Sequence, residues 1–179
     1  YETGKVDALL VVAPKSVYTN WTRRSDDNPG ELQKWLWGEA KTSAIVHTYR
    51  AGKMTQDRQA ILSVMDITVP GPRILVVNIE AISSTVEAVY TCEKFLRSHR
   101  TMLVVDESTA IKDRTSKRTK KLMKMSMLAT KRRILTGSPV TGSPTDLWGQ
   151  FEFLERGSLG FGTFTAFQSR FCLLHDMRI

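Results

Sequence analysis

The sequence predicts an α/β fold built on a doubly wound parallel sheet. Two observations carry this. Three apolar runs, Ala8–Ala13, Arg73–Asn78 and Thr101–Asp106, are nearly continuous, as strands buried on both faces are. Longer polar or amphipathic stretches separate them, as helices covering such a sheet would.

The elements follow in order. The strand Ala8–Ala13 ends at Pro14, and a helix begins with Ser16 near its cap. Ser25–Gly30 reads as a loop. Ala44–Tyr49 is a second strand, and Val69-Pro70-Gly71-Pro72 is a loop leading to the third, Arg73–Asn78. Ser84-Thr85-Val86-Glu87 has the pattern of a capping box and opens a helix to about Ser98. Thr101–Asp106 is the fourth strand. Ser116–Leu128 reads as a helix with Leu122, Met125, Met127 and Leu128 turned inward and its lysines outward. Arg132–Thr136 is the fifth strand. Ser143-Pro144-Thr145-Asp146 places a cap, a proline at the first helical position and an acid in the first turn of a helix reaching about Leu154. Thr163 caps a last helix through Phe171. There is no internal repeat and no low-complexity tract.

With 179 residues, 41% hydrophobic and 25% charged, the composition suits one soluble domain with a core. No stretch approaches the roughly 18 apolar residues that span a membrane. No signal peptide is visible and the first residue is Tyr1, which suggests a fragment of a longer chain. Cys92 and Cys172 are far apart and lack metal-ligand spacing, as in a reduced intracellular protein. His47, His99 and His175 are equally scattered and read as structural or surface residues rather than zinc ligands. The net charge of +8 is localised: Lys112 to Arg133 holds ten Lys/Arg and one acid, Asp113, which leaves the rest of the chain at −1. Such a run is either a solvated helix face or a patch for a polyanion such as nucleic acid.

Ligands of open α/β sheets bind beyond the carboxyl ends of the strands. Three strand ends stand out. Met102-Leu103-Val104-Val105-Asp106-Glu107 is an apolar strand ending in two acids. The Asp can hold Mg²⁺ through its water shell and the Glu can orient or deprotonate a water, although many strands end in an acidic turn. Arg132–Pro139 ends in the turn Thr136-Gly137-Ser138-Pro139. Its hydroxyls can hydrogen-bond to a carboxylate on a neighbouring strand end, or form a plain turn. In Val11–Trp21, free N–H groups and Lys15 at a helix start suit a DNA phosphate; an ordinary strand–helix turn explains them as well.

Together, and in this order, these segments resemble the Swi/Snf group of helicase superfamily two. Val11–Trp21 is similar to motif Ia, Asn78-Ile79-Glu80-Ala81-Ile82 to the motif Ib region, Asp106–Asp113 to motif II and Leu135–Val140 to motif III. Asp146-Leu147-Trp148 through Leu154 to Leu159-Gly160-Phe161, then Phe164, Phe167 and Phe171, resemble the pattern that follows in that group. The resemblance covers nearly the whole chain. It implies a RecA-like sheet of the P-loop NTPase type, a partial first helicase lobe. Residues 1–179 would form a single domain, with a sheet core over about 1–140 and a helical extension over 141–179. It implies ATP and Mg²⁺ as cofactors, with Asp106 holding the metal and Glu107 activating water. Thr136, Gly137 and Ser138 would couple hydrolysis to lobe movement. Pro14, Lys15 and Ser16 would touch one DNA strand, aided by the turn after Asn78. The cluster from Lys112 to Lys121, including Lys117 and Arg118, would either lie near DNA or be solvated. The implied partners are double-stranded DNA and a second RecA-like lobe of the same polypeptide.

The match also departs from the pattern. Thr109 stands where the motif II box carries histidine; its hydroxyl could still bond across to motif III. Asp113 replaces an asparagine and Ser138 a threonine. The phosphate-binding loop GxxxxGK(S/T) is nowhere in the chain. Gly52-Lys53-Met54 is a decoy, because Met54 has no hydroxyl and His47 occupies the first glycine position. The resemblance places that loop before Tyr1, makes Tyr1–Asp7 the tail of the helix behind it, and leaves the arginine finger to the second lobe. The expectation is an ATP-driven translocase on double-stranded DNA, of which these residues alone hydrolyse little or no ATP. The alternatives are a non-catalytic DNA-binding module, an RNA helicase or a restriction-enzyme motor. Thr136-Gly137-Ser138-Pro139 argues against an RNA helicase of the DEAD group, which has Ser-Ala-Thr there. A nucleus, a bacterial cytoplasm or a virus-infected cell would all fit.

Overall fold

The computed structural model describes residues 5–53, 55 and 57–172. Five strands, β1 (Ala8–Ala13), β2 (Ile45–Thr48), β3 (Arg73–Asn78), β4 (Thr101–Asp106) and β5 (Lys131–Leu135), form a sheet in the order β2-β3-β1-β4-β5. Every neighbouring pair is parallel. Three strands keep their predicted bounds; β2 is a residue shorter at each end, and β5 begins and ends one residue earlier. The helices are α1 (Tyr18–Thr22), α2 (Glu31–Trp35), α3 (Gly38–Ser43), α4 (Arg58–Met65), α5 (Ile79–Ser84), α6 (Val86–Ser98), α7 (Lys117–Ser126), α8 (Asp146–Leu154) and α9 (Phe164–Phe171).

Register sets the two faces. Leu10 lies level with Leu75 and Leu103, and Val12 with Val77 and Val105. These side chains form one core with Val64 of α4, Ile79 and Ile82 of α5, Phe95 of α6, Leu122 and Met125 of α7 and Phe153 of α8. Alternate residues point the other way, so Val11, Ala13, Ile74 and Val76 pack with Leu32 of α2 and Trp21 of α1. That second layer does not extend fully over β4 and β5. There the same face carries half-buried Met102 and exposed Lys131, Arg133 and Leu135, and among the described residues β5 pairs with β4 alone.

Several expectations are corrected. Thr85, not Ser84, caps α6, its hydroxyl accepting from the Ala88 N–H at 3.3 Å. Ser84 is already the last residue of α5 and donates to the Glu80 carbonyl. Leu122 and Met125 point inward as expected and Leu128 packs on the core, but Met127 is 63% exposed because α7 stops at Ser126. Helix α8 begins at Asp146, so Pro144 lies in the preceding turn rather than at the first helical position. Val17 rather than Ser16 occupies the cap of α1, with no side-chain cap bond. Residues 5–7 lead into β1 without helix, whereas Tyr1–Gly4, Met54 and His175 lie outside the described residues. Thr163 does cap α9. Among the described residues, no helix is long and apolar enough to cross a membrane. Cys92 and Cys172 are both free; burial pushes the Cys92 thiol up to about 12.

Candidate functional site

Parallel strands end on one edge, so the topology collects Pro14–Ser16, Asn78, Asp106–Glu107 and Thr136–Ser138 there. At the end of β4, half-buried Asp106 accepts two N–H donors: the Trp21 indole at 2.9 Å through Oδ2 and the Glu107 amide at 3.0 Å through Oδ1. An indole N–H donates without carrying charge, so it orients the carboxylate and leaves its negative charge intact. Trp21 has no signal in the sequence beyond its place at the end of the strand–helix segment.

Glu107 is exposed and has φ 50° and ψ 59°; it is the only non-glycine residue with positive φ among the described residues. A left-handed backbone costs a side-chain-bearing residue about 1–2 kcal/mol, so the surroundings must enforce it. The Ala110 N–H closes on the Glu107 carbonyl at 3.0 Å and starts a 3₁₀ turn, Ser108–Ile111. Asp106 and Glu107 open together onto a cleft of about 460 Å³, walled by Asn20, Trp21, Glu31, Trp35 and Leu135.

The turn after β5 closes on itself. Ser138 N–H donates to the Thr136 hydroxyl at 3.2 Å, and the Ser138 hydroxyl donates to the Val140 carbonyl at 3.3 Å. Neither hydroxyl reaches Asp106 or Glu107, and Thr109 does not make the expected bridge. Ser108 makes it instead, through a residue the sequence did not single out. Its hydroxyl donates to Gln150 Oε1 at 2.6 Å, and Gln150 Nε2 donates to the Pro139 carbonyl at 2.6 Å. The only sequence signal was one amide among the apolar residues of α8. One turn earlier on that helix, Asp146 Oδ2 accepts from Thr141 N–H and hydroxyl, both at 2.9 Å, and from Gly142 N–H at 3.0 Å. Lys112 Nζ stands 3.5 Å away. The Thr141 amide leads these influences in holding the Asp146 carboxyl down at about 2.

The candidate nucleic-acid residues divide. Lys15 and Ser16 are exposed, but the Lys15 N–H is taken by the Glu80 carboxylate at 3.0 Å. Asn78 is buried and caps α5, its Oδ1 accepting from Ala81 N–H at 2.7 Å. Lys112 donates to the Thr141 hydroxyl at 2.5 Å as well as facing Asp146. Lys121 caps α5, reaching the Ile82 and Ser83 carbonyls at 2.7 and 3.2 Å. Arg132 binds the Ser126 and Leu154 carbonyls at 2.7 and 2.9 Å, and Arg114 stacks 4.3 Å over the Phe164 ring. Lys117, Lys120 and Lys124 remain exposed on α7, with Arg118 half-buried.

The SNF2-related domain model matches residues 1–174. The chain belongs to the SNF2-related domain family. Mouse DNA annealing helicase and endonuclease ZRANB3 is 28% identical to this SNF2-related chain over 168 residues, 93% of the chain and 13% of that protein. Protein CHROMATIN REMODELING 19 of Arabidopsis thaliana is 30% identical over 147 residues, 81% of the chain and 18% of that protein. The SNF2-related chain thus spans less than a fifth of either relative. Its fold matches the Sulfolobus solfataricus SWI2/SNF2 ATPase core in complex with double-stranded DNA, with a TM-score of 0.63 at 21% identity, over 95% of the chain and 29% of that structure.

Proposed function

We propose that this chain is part of the first RecA-like lobe of an ATP-dependent motor that moves on double-stranded DNA. The carrying observation is the Asp106–Glu107 pair at the end of β4, one acid oriented by two N–H donors and its neighbour held in a left-handed backbone beside the same cleft. The pair suits a hard divalent cation: its donors are carboxylate oxygens, and Asp106 keeps acceptor capacity beyond its two bonds. Mg²⁺ bound there would offset phosphate charge. Asp106 would hold the ion, Glu107 would orient and deprotonate the attacking water, and Thr136, Gly137 and Ser138 would sense the state of the site. ATP's phosphates also need a loop that these 179 residues do not contain. That loop and the second lobe would belong to polypeptide outside them. The outer edge of β5, unpaired among the described residues, and the exposed Arg133 and Leu135 support this, since another parallel strand and its helix could cover them.

DNA would lie along the edge formed by Pro14–Ser16, the start of α5 capped by Asn78, and the α7 cations Lys117 and Arg118. The free thiol of buried Cys92 suits a reducing intracellular compartment. The test is ATP turnover, with and without duplex DNA, by polypeptide carrying this chain, the phosphate-binding loop and the second lobe. DNA-stimulated turnover is expected, and Glu107→Gln should lower it by about 100-fold or more. No turnover with salt-sensitive DNA binding retained would instead assign a non-catalytic binding module; stimulation by RNA alone would assign an RNA motor.

A further inference from the structure

Helix α8 touches both loops that flank the cleft. Gln150 is wholly buried, and both its polar atoms are engaged: Oε1 accepts from the Ser108 hydroxyl, and Nε2 donates to the Pro139 and Asp146 carbonyls at 2.6 and 2.9 Å. Ser108, equally buried, is the first residue of the 3₁₀ turn whose start fixes Glu107. Gly149 brings the helix backbone against that turn; a Cβ there would stand 2.2 Å from the Ile111 carbonyl oxygen. Four residues before Gln150, Asp146 holds the Thr141 and Gly142 amides through Oδ2, the same oxygen that faces Lys112. The segment after β4 and the segment after β5 therefore meet through α8, with no slack between backbone and turn.

We propose that α8 is a clamp that positions Glu107. Ser108 and Gln150 are its positioning residues, and movement of the turn after β5 reaches Glu107 by the path Pro139, Gln150, Ser108. This rests on Glu107 being the hydrolytic base. Neither positioning residue touches a reacting group. Each acts by fixing the backbone angle from which the Glu107 carboxylate enters the cleft, and a displacement of about an ångström there is enough to cost large factors in rate. The link is polar and directional, so an apolar replacement of similar size keeps the packing and loses the positioning.

The experiment compares Ser108→Ala, Gln150→Leu and Glu107→Gln, and each clamp variant combined with Glu107→Gln, in the motor polypeptide. Ser108→Ala and Gln150→Leu should each lower DNA-stimulated kcat about tenfold, while KM for ATP and duplex affinity change less than about twofold. In the Glu107→Gln background, Ser108→Ala should cost nothing further, because its effect passes through Glu107. Should Gln150→Leu fail to fold, Ser108→Ala, which removes one oxygen, still decides. Parallel losses in kcat, KM and DNA affinity would reduce the link to packing and overturn the clamp, as would unchanged kcat in Ser108→Ala. If Glu107→Gln itself keeps turnover, the reading of the base falls; if only the clamp variants are silent, the clamp falls alone.

Discussion

Asp146 shows how strongly one carboxylate organises the post-β5 segment. It is ionised against two amides, a hydroxyl and a lysine, and its carboxyl is depressed to about 2 from an ordinary 3.8. A folded-state value below the unfolded one means stability that is present above about pH 4 and lost as pH falls through 2. Asp146→Asn keeps the shape but offers the Thr141 and Gly142 amides a neutral acceptor and leaves Lys112 without its anion. The variant should be less stable than the parent at pH 6, and the gap should close as pH falls from about 4 toward 2. Urea unfolding of both proteins across that range checks this; a gap independent of pH would mean that the charge of Asp146 contributes nothing. Glu107 makes the complementary point. Its identity was legible from the strand-terminal acid pair, but its left-handed backbone was not, because the turn that imposes it is pinned by Gln150, 42 residues beyond Ser108.

Helix α7 carries neighbouring lysines with opposite roles. Lys121 is half-buried and binds the last carbonyls of α5, where a cation also meets the negative end of the helix dipole. Lys120 is exposed. Lys121→Met should destabilise the fold by about 1–3 kcal/mol, whereas Lys120→Met should stay within about 0.5 kcal/mol. Denaturant unfolding midpoints separate the two, and equal midpoints would refute the capping role. The sequence could not distinguish these lysines, since the α5 carbonyls that decide it belong to a helix with no periodic signal. Short helices generally escape for that reason: α2, α3 and α5 have five or six residues each, too few for a 3.6-residue repeat to show, whereas α1 is legible only through the turn that precedes it. The strands β1, β3 and β4 were legible to the residue because burial on both faces leaves continuous apolar runs. The edge strand β5 opens with three consecutive cations, Lys131-Arg132-Arg133, so its sequence carries no apolar signal at its start and the expected bounds fall one residue late. At the site, the acids at the end of β4 were legible. The bridge between the two loops was assigned to Thr109 and belongs to Ser108, because the hydroxyl that points at α8 is set by the 3₁₀ turn and not by spacing in the motif.

Across the whole molecule, the sheet sets the acid pair apart from the α7 cations. The acid pair opens on the cleft between β4 and α1, on the face that also carries Lys131 and Arg133, while Lys117–Lys124 of α7 lie on the opposite layer. A parallel crossover runs its helix back against the strands, so α7 starts at the carboxyl edge of the sheet. Its first turns lie against α5 through Lys121, and α5 reaches the Lys15 turn through Glu80. Cations and strand ends therefore form one continuous rim. Lys112, Lys121, Arg132 and Arg114 are committed to internal partners, which leaves Lys117, Lys120 and Lys124 as the exposed row on α7. If that row lies on a duplex backbone, each lysine releases about 0.9 of a counterion. Replacing all three by glutamine should then flatten the slope of log affinity against log salt by roughly 2–3 units, equally for unrelated DNA sequences. Fluorescence anisotropy with short duplexes between low and physiological salt measures it on the motor polypeptide. An unchanged slope would make the row a solvated helix face and confine DNA to the rim around Lys15. A partial change would count the lysines that reach phosphate, because the slope scales with contacts rather than with net charge.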